Sequence, residues 1–148
     1  MPSRHHLRKG AKHANYEMGM LHDTAAQLQA MPLVTGIRRA ALLESWALHL
    51  RNLIEFFHPT SATKPDTVRA EWYVEDPLRW ANDLPALKPA EVAKRRALHK
   101  LLAHISYLRD ARTSRWSMRH HGIVTRRLRL FYAHLSLRRQ HWFTRAPR

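Results

Sequence analysis

Arg51 and His58 are the two residues whose types and spacing most directly suggest chemistry. Seven residues advance an α-helix by about 700°, so the two side chains share one stripe if the helix is regular as far as His58. An arginine can hold a phosphate through two parallel hydrogen bonds, and a neutral histidine can take a proton from an attacking hydroxyl. The pair therefore suggests cleavage of RNA without a metal, through attack by the ribose 2′-hydroxyl.

The same stripe also has a purely structural interpretation. Glu44 lies seven residues before Arg51, and Glu55 lies one turn after it, so either carboxylate could form an ion pair with the guanidinium group. His58 would then simply end the helix, because Pro59 disfavours helical backbone in the residue before it. The residues alone leave both interpretations open.

The segment 51–58 resembles the signature of HEPN domains, which are all-helical domains of many prokaryotic toxins and defence systems. That signature is an arginine, then a polar residue that is often asparagine, then a histidine, as in Arg51, Asn52 and His58. The wider run 43–57 is similar to a group of uncharacterised bacterial HEPN-like proteins, in which a later helix carries a segment similar to 102–109.

The resemblance implies a helical bundle, a dimer in which two motifs face each other, and metal-independent ribonuclease activity. It also implies that Arg51 binds phosphate, that Asn52 helps to orient it, and that His58 acts as base or acid. His104 is a second candidate, since it would approach Arg51 if the second and third helices pack antiparallel. The alternative for His104 is a buried histidine without a catalytic role.

The charge of the chain suggests a polyanionic partner. The sequence has 26 lysines and arginines against 11 acidic residues, and ten arginines follow the last acidic residue, Asp110. Such a surface attracts phosphate backbones through counterion release, so RNA is the expected partner. The alternative is a charged face that is merely solvated. The residues expected to contact RNA are Arg109, Arg126, Arg127, Arg129, Arg138 and Arg139.

The spacing of apolar residues predicts an all-α fold, a helical bundle of four main helices with short extra helical turns around residues 70–87. Residues 1–13 are mostly polar and basic, and we expect them to form a flexible arm before a single domain at 14–148. The predicted main helices cover about 15–31, 37–57, 89–109 or 89–112, and 113–143.

Several kinds of site and location find no support in the sequence. The absence of cysteine excludes disulfides and thiolate metal sites. Neither His5-His6 nor His120-His121 has another ligand at suitable spacing, so no metal and no cofactor is expected. No apolar run reaches the 18 residues that a membrane span needs, and the N-terminus lacks the apolar stretch of a signal peptide. We therefore expect a cytoplasmic protein without membrane contact.

Three functional hypotheses follow from the sequence. The first is a HEPN-like, metal-independent ribonuclease of the toxin or defence type that acts on RNA as a homodimer. The second is a non-catalytic RNA- or ribosome-binding helical protein. The third is a protein-interaction module, but the strongly basic charge argues against a neutraliser of RNA-directed toxins. An antitoxin or another acidic protein is a further possible partner.

Overall fold

The computed structural model describes residues 2–30, 36–60, 67–103 and 121–144, and most of these residues are helical. The all-α class is therefore confirmed. The predicted third and fourth helices extend into residues 104–120, which lie outside the described residues, so the count of four main helices stays a prediction. The helices are α1 (Arg4–Ala30), α2 (Gly36–Phe57), α3 (Pro77–Asp83), α4 (Pro89–Ala103) and α5 (His121–His134), with 3₁₀ turns at Ala70–Trp72 and Gln140–Trp142.

Helix α2 is the central element, and its bounds agree with the prediction to within one residue. Apolar side chains recur along it every three or four residues, which gives one continuous buried face. The backbone N–H of His58 still donates to the carbonyl of Ile54 at 2.8 Å, so helical hydrogen bonding reaches His58 before Pro59 intervenes. The most deeply buried residues of α2 include Trp46, Leu50, Leu53, Ile54 and Phe57.

Helix α1 begins at Arg4, so the prediction of a flexible arm at residues 1–13 is wrong. Leu7 and Ala11 are buried, and the hydroxyl of Tyr73 donates to the carbonyl of Leu7 at 2.9 Å. Gly10 lies so close to Tyr73 that an added Cβ would be 2.5 Å from the hydroxyl oxygen. The first turns of α1 are therefore held by tertiary contacts, which the small and polar residues of this segment conceal in the sequence.

Helices α1 and α2 pack side by side and run antiparallel. Glu17 of α1 contacts both His49 and Asn52 of α2, and the adjacent cavity, which both helices line, extends to His13 of α1 and to Phe56 of α2. Positions further along α1 thus lie beside positions earlier in α2. As a result, the N-terminal half of α1 lies beside the C-terminal half of α2.

The segment after residue 67 joins the middle of the chain to its C-terminal part. Val74 and Leu135 form an isolated antiparallel bridge, and the N–H of Ser136 donates to the carbonyl of Tyr73 at 3.1 Å. Asp76 caps α3 by accepting hydrogen bonds from two backbone N–H groups, immediately before Pro77 in the first turn. The short turns predicted for residues 70–87 are confirmed in this region.

Aromatic rings fill the space between these elements. The ring of Phe131 lies 5.4 Å from that of Phe56, 6.1 Å from that of Trp80 and 5.1 Å from that of Phe143, measured between centroids. All three contacts are edge-to-face, the arrangement that aromatic pairs favour. The core thus links α2, α3, α5 and the C-terminal segment. Within the described part of the chain, no helix has both the length and the apolar character needed to cross a bilayer.

Candidate functional site

The motif residues of α2 point in different directions. Asn52 and His58 are six residues apart, which places their side chains about 120° apart around the helix axis. Asn52 faces α1, where its amide contacts Glu17, whereas His58 contacts Arg127 of α5. The structure thus places these two predicted catalytic residues in separate polar clusters.

The first polar cluster is centred on Glu17. Nδ1 of His49 donates to Oε2 of Glu17 at 2.6 Å, and Nδ2 of Asn52 donates to the same oxygen at 3.1 Å. His49 is buried and Glu17 is about one-fifth exposed, so the bonds are only partly screened by water. His49 is buried in this network. The arrangement fixes the orientation of the Glu17 carboxylate.

The second polar cluster is centred on Arg127, whose side chain is only 3% exposed. Its Nε donates to Nε2 of His58 at 2.7 Å, and its Nη1 donates to the carbonyl of Ile123 at 2.7 Å. Its Nη2 contacts Oε2 of Glu91 at 3.1 Å and the carbonyl of Pro85 at 3.2 Å. This side chain therefore joins α2, α4, α5 and the loop before α4.

The prediction that Arg127 contacts RNA at the surface is wrong, because the residue is buried and its guanidinium group is bonded within the protein. The error comes from treating every arginine in the basic C-terminal region as exposed. Helical spacing did contain the correct signal, since Arg127 is four residues from both Ile123 and Phe131, which are also buried.

The surroundings of His58 favour its neutral form. Burial, followed by the positive charges of Arg127 and Arg95, lowers the pKa of His58 to about 4. Its Nε2 already accepts a hydrogen bond from Arg127, so that lone pair is occupied in this conformation. The backbone carbonyl of His58 also accepts from Nη1 of Arg95 at 3.2 Å, which ties the end of α2 to α4.

Arg51 is half-buried, and its Nε is buried without a hydrogen-bond partner in the described part of the chain. A buried donor of this kind is costly and therefore calls for an explanation. The fourth predicted catalytic residue, His104, lies outside the described residues, and so does Arg109. The structure therefore leaves the predicted approach of His104 to Arg51 untested.

The other predicted RNA contacts differ in exposure. Arg126, Arg129 and Arg138 are exposed, as the prediction requires. Arg139 is half-buried, and its Nη1 donates to the backbone carbonyl of Trp72. Arg139 thus has a structural partner, whereas the three exposed arginines are available to solvent.

Among the described residues, exposed basic side chains are concentrated on the first turns of α1, which were predicted to form a flexible arm. The buried residues Leu7, Ala11, Ala14 and Met18 follow each other at the helical steps of four, three and four, but two of them are alanines, so the apolar signal in the sequence is weak. The opposite side of the same turns is basic and precedes the first acidic residue of α1, Glu17. We call this surface the cationic face, and it consists of the exposed residues Arg4, His5, His6, Arg8, Lys9, Lys12 and His13.

A cavity of about 160 Å³ opens beside the cationic face, between α1, α2 and residues 67–68. It adjoins the Glu17 cluster described above. The cavity is lined by His13, Ala14, Glu17, Asn52, Leu53, Glu55, Phe56, Thr67 and Val68.

Comparison with protein-family models, curated proteins and solved structures finds no match for this chain. The HEPN resemblance therefore stays a prediction from the motif. Among the described residues, no group of three or more histidine, aspartate or glutamate side chains is placed to hold a metal ion. What the geometry offers is a rigid basic helix face with a cavity at its edge.

Proposed function

We propose that this protein binds single-stranded RNA through the cationic face of α1. The observation that carries the proposal is the position of four exposed lysines and arginines, with three exposed histidines, on a helix anchored in the core. A rigid row of cations should bind phosphates more tightly than the same cations on a flexible arm, because less conformational entropy is lost on binding.

The remaining charge of the molecule supports the same proposal. Arg126, Arg129 and Arg138 are also exposed, and the net charge of +15 attracts a polyanion from a distance. Among the described residues, the exposed lysines and arginines outnumber the exposed acidic side chains by twelve to six, so attraction of phosphate exceeds repulsion.

The proposal predicts a specific salt dependence. Binding of a fluorescein-labelled 20-nucleotide RNA is measured by fluorescence anisotropy at increasing NaCl concentrations. Replacing two phosphate contacts with Arg8→Gln and Lys12→Gln should weaken binding at every salt concentration. It should also reduce the slope of log K against log salt by about 1.4, since each contact to a single strand contributes about 0.7.

The matched control is the double variant Arg38→Gln and Arg39→Gln. It removes the same charge, and both residues are exposed near the start of α2. Because α1 and α2 are antiparallel, these arginines lie at the opposite end of the helix pair from the cationic face. Equal slopes for the two double variants would contradict the proposal, as would absence of RNA binding by the unmodified protein.

A second candidate is the metal-independent ribonuclease predicted from Arg51, Asn52 and His58. The Nε of Arg51 supports it, because this donor has no partner among the described residues and could bind a phosphate oxygen. The hydrogen bond from Arg127 to His58 counts against it unless that contact opens. The predicted homodimer belongs to this candidate, and light scattering of the RNA-free protein tests it.

The test of the second candidate is RNA degradation in the presence of EDTA. A ribonuclease that uses this motif loses activity in Arg51→Ala and His58→Ala while both variants stay folded by circular dichroism. If degradation persists in both variants, the assignment of these residues is wrong. RNA binding without any degradation would support the RNA-binding proposal and contradict the ribonuclease proposal.

A further inference from the structure

The cavity beside the cationic face has acidic lining residues, and phosphate binding does not explain them. Two of its lining residues are Glu17 and Glu55, in a chain with only 11 acidic residues against 26 basic ones. Ionised carboxylates accept hydrogen bonds and donate none. A molecule bound here must therefore present hydrogen-bond donors, unlike the phosphates that the neighbouring surface attracts.

The two carboxylates have different surroundings. Glu17 is held by hydrogen bonds from His49 and Asn52, both of which end on Oε2. Glu55 is half-buried and has no ion pair with any described residue. Within the described part of the chain, Glu55 is therefore the carboxylate whose acceptor capacity is available to a ligand, while Glu17 forms a fixed polar wall.

The rest of the lining suits a flat ring. Ala14, Leu53, Phe56 and Val68 provide apolar walls. An enclosed apolar cavity of about 150 Å³ is known to bind a benzene ring. The present space, at about 160 Å³, is similar in size and is open to solvent, so it can hold one edge of a larger planar ring system.

The charge of the molecule restricts which donor-bearing ligand can reach this cavity. A net charge of +15 repels small cations, although their amines would satisfy the carboxylates. A nucleotide is attracted through its phosphate and carries its donors on a neutral base. Lys9 lies one turn before His13 on α1, so an exposed cation is placed next to a residue of the cavity wall.

We propose that the cavity binds a guanine base of the RNA, with Glu55 accepting hydrogen bonds from N1–H and the N2 amino group. Guanine presents these two donors side by side on its Watson–Crick edge, whereas adenine, cytosine and uracil each present a single donor group there. Unstacked bases of single-stranded RNA are commonly recognised through this edge. The inference rests on the proposed RNA binding and adds base preference to it.

The test compares nine-nucleotide RNAs that differ only at the central position, with G, A or U between runs of U. The unmodified protein should bind the G-containing RNA about tenfold more tightly than the other two, as expected for one bidentate contact. In Glu55→Gln this preference should disappear. The same change removes a negative charge, so affinity for the all-U RNA should stay equal or rise, and simple misfolding would lower it.

Glu75→Gln is the matched control, because Glu75 is exposed and lies outside the cavity lining. This variant should keep the preference for guanine. Equal binding of the three RNAs by the unmodified protein would overturn the guanine inference while leaving RNA binding intact, and so would a preference that survives Glu55→Gln. If none of the three RNAs binds, the proposed function itself fails.

Discussion

At the scale of single residues, His58 illustrates how a side chain suited to catalysis can be used for structure. A neutral imidazole accepts the Arg127 hydrogen bond, but a protonated one would place a positive charge against Arg127 and Arg95. The residue therefore contributes to stability only while it is neutral. Its identity suggested acid–base chemistry, and its neighbours determine which protonation state the folded protein favours.

This arrangement predicts a dependence of stability on pH. The pKa of His58 is about 4 in the folded protein and 6.5 by default in the unfolded chain, so the unfolded chain binds more protons between these values. The free energy of unfolding should therefore fall as the pH falls from about 6.5 to about 4. Because His58 is partly exposed, we expect His58 to account for about 1–2 kcal/mol of this loss, measured by urea denaturation.

The control for this prediction is His58→Gln, which keeps an acceptor for Arg127 but does not titrate. Other groups also titrate in this range, so the relevant quantity is the difference between the two proteins. A pH profile that is the same in both would show that His58 contributes nothing to the acid sensitivity.

Gly10 gives a second prediction at the scale of a residue. In Gly10→Ala the new methyl group would lie 2.5 Å from the hydroxyl oxygen of Tyr73, which is buried and bonded to Leu7. We expect a loss of about 1–3 kcal/mol in the free energy of unfolding. The same substitution should cost less in a Tyr73→Phe background, where the hydroxyl is absent.

Gly122→Ala provides the contrast, because an added Cβ there meets nothing within 4 Å. Gly122 is exposed in the first turn of α5, so alanine should stabilise the helix, by less than the roughly 1 kcal/mol typical of a helix interior. If both glycine variants change stability in the same direction, close packing around Gly10 does not explain its effect.

At the scale of elements, Arg127 is the side chain that holds three helices together. In Arg127→Met, the carbonyl of Ile123, the carboxylate of Glu91 and the imidazole of His58 would all lose a donor. We expect a loss of about 3 kcal/mol, since removing one partner leaves buried polar groups without compensation. Thermal and urea denaturation measure the effect.

The neighbouring Arg126→Met is a matched control for this element-scale prediction. Arg126 is exposed, so the same chemical change should alter stability by less than about 0.5 kcal/mol. Similar losses in the two variants would mean that the polar contacts of Arg127 are not important for joining α2, α4 and α5.

The elements also show what could be predicted from the sequence. The bounds of α2 were predictable because a strong apolar repeat ends at Pro59. The first turns of α1 were not predicted, because their buried side consists partly of glycine and alanine. These turns also gain stability from Tyr73, which is 66 positions away from its partner Leu7. The local spacing of apolar residues is enough to predict a helix with a strongly apolar face. It is a poor guide to a helix whose stability depends on contacts with residues far away in the chain.

The same limit applies to the candidate site. The sequence placed Asn52 and His58 in one motif, but their partners, Glu17 and Arg127, lie on other helices and are 35 and 69 positions away. The spacing of the motif residues along α2 was visible in the sequence. The packing that separates them into two clusters was not.

At the scale of the whole molecule, the net charge of +15 should affect stability as well as binding. Like charges repel one another more strongly in the compact state than in the expanded chain. The Tm should therefore rise when NaCl is increased from about 20 mM to about 500 mM, because salt screens the repulsion. The rise should be smaller for the Arg8→Gln and Lys12→Gln double variant, and a Tm that falls with salt would contradict the argument.

The contacts of α1 also constrain the order in which the chain can fold during synthesis. Asn15 is hydrogen-bonded to the backbone carbonyl of Trp142, and the hydroxyl of Tyr132 contacts the sulfur of Met18. Because these partners lie 127 and 114 positions after the α1 residues that they contact, they leave the ribosome long after α1 has been made. A growing chain therefore carries a basic, partly uncovered helix close to ribosomal RNA until these later residues are available to pack against it.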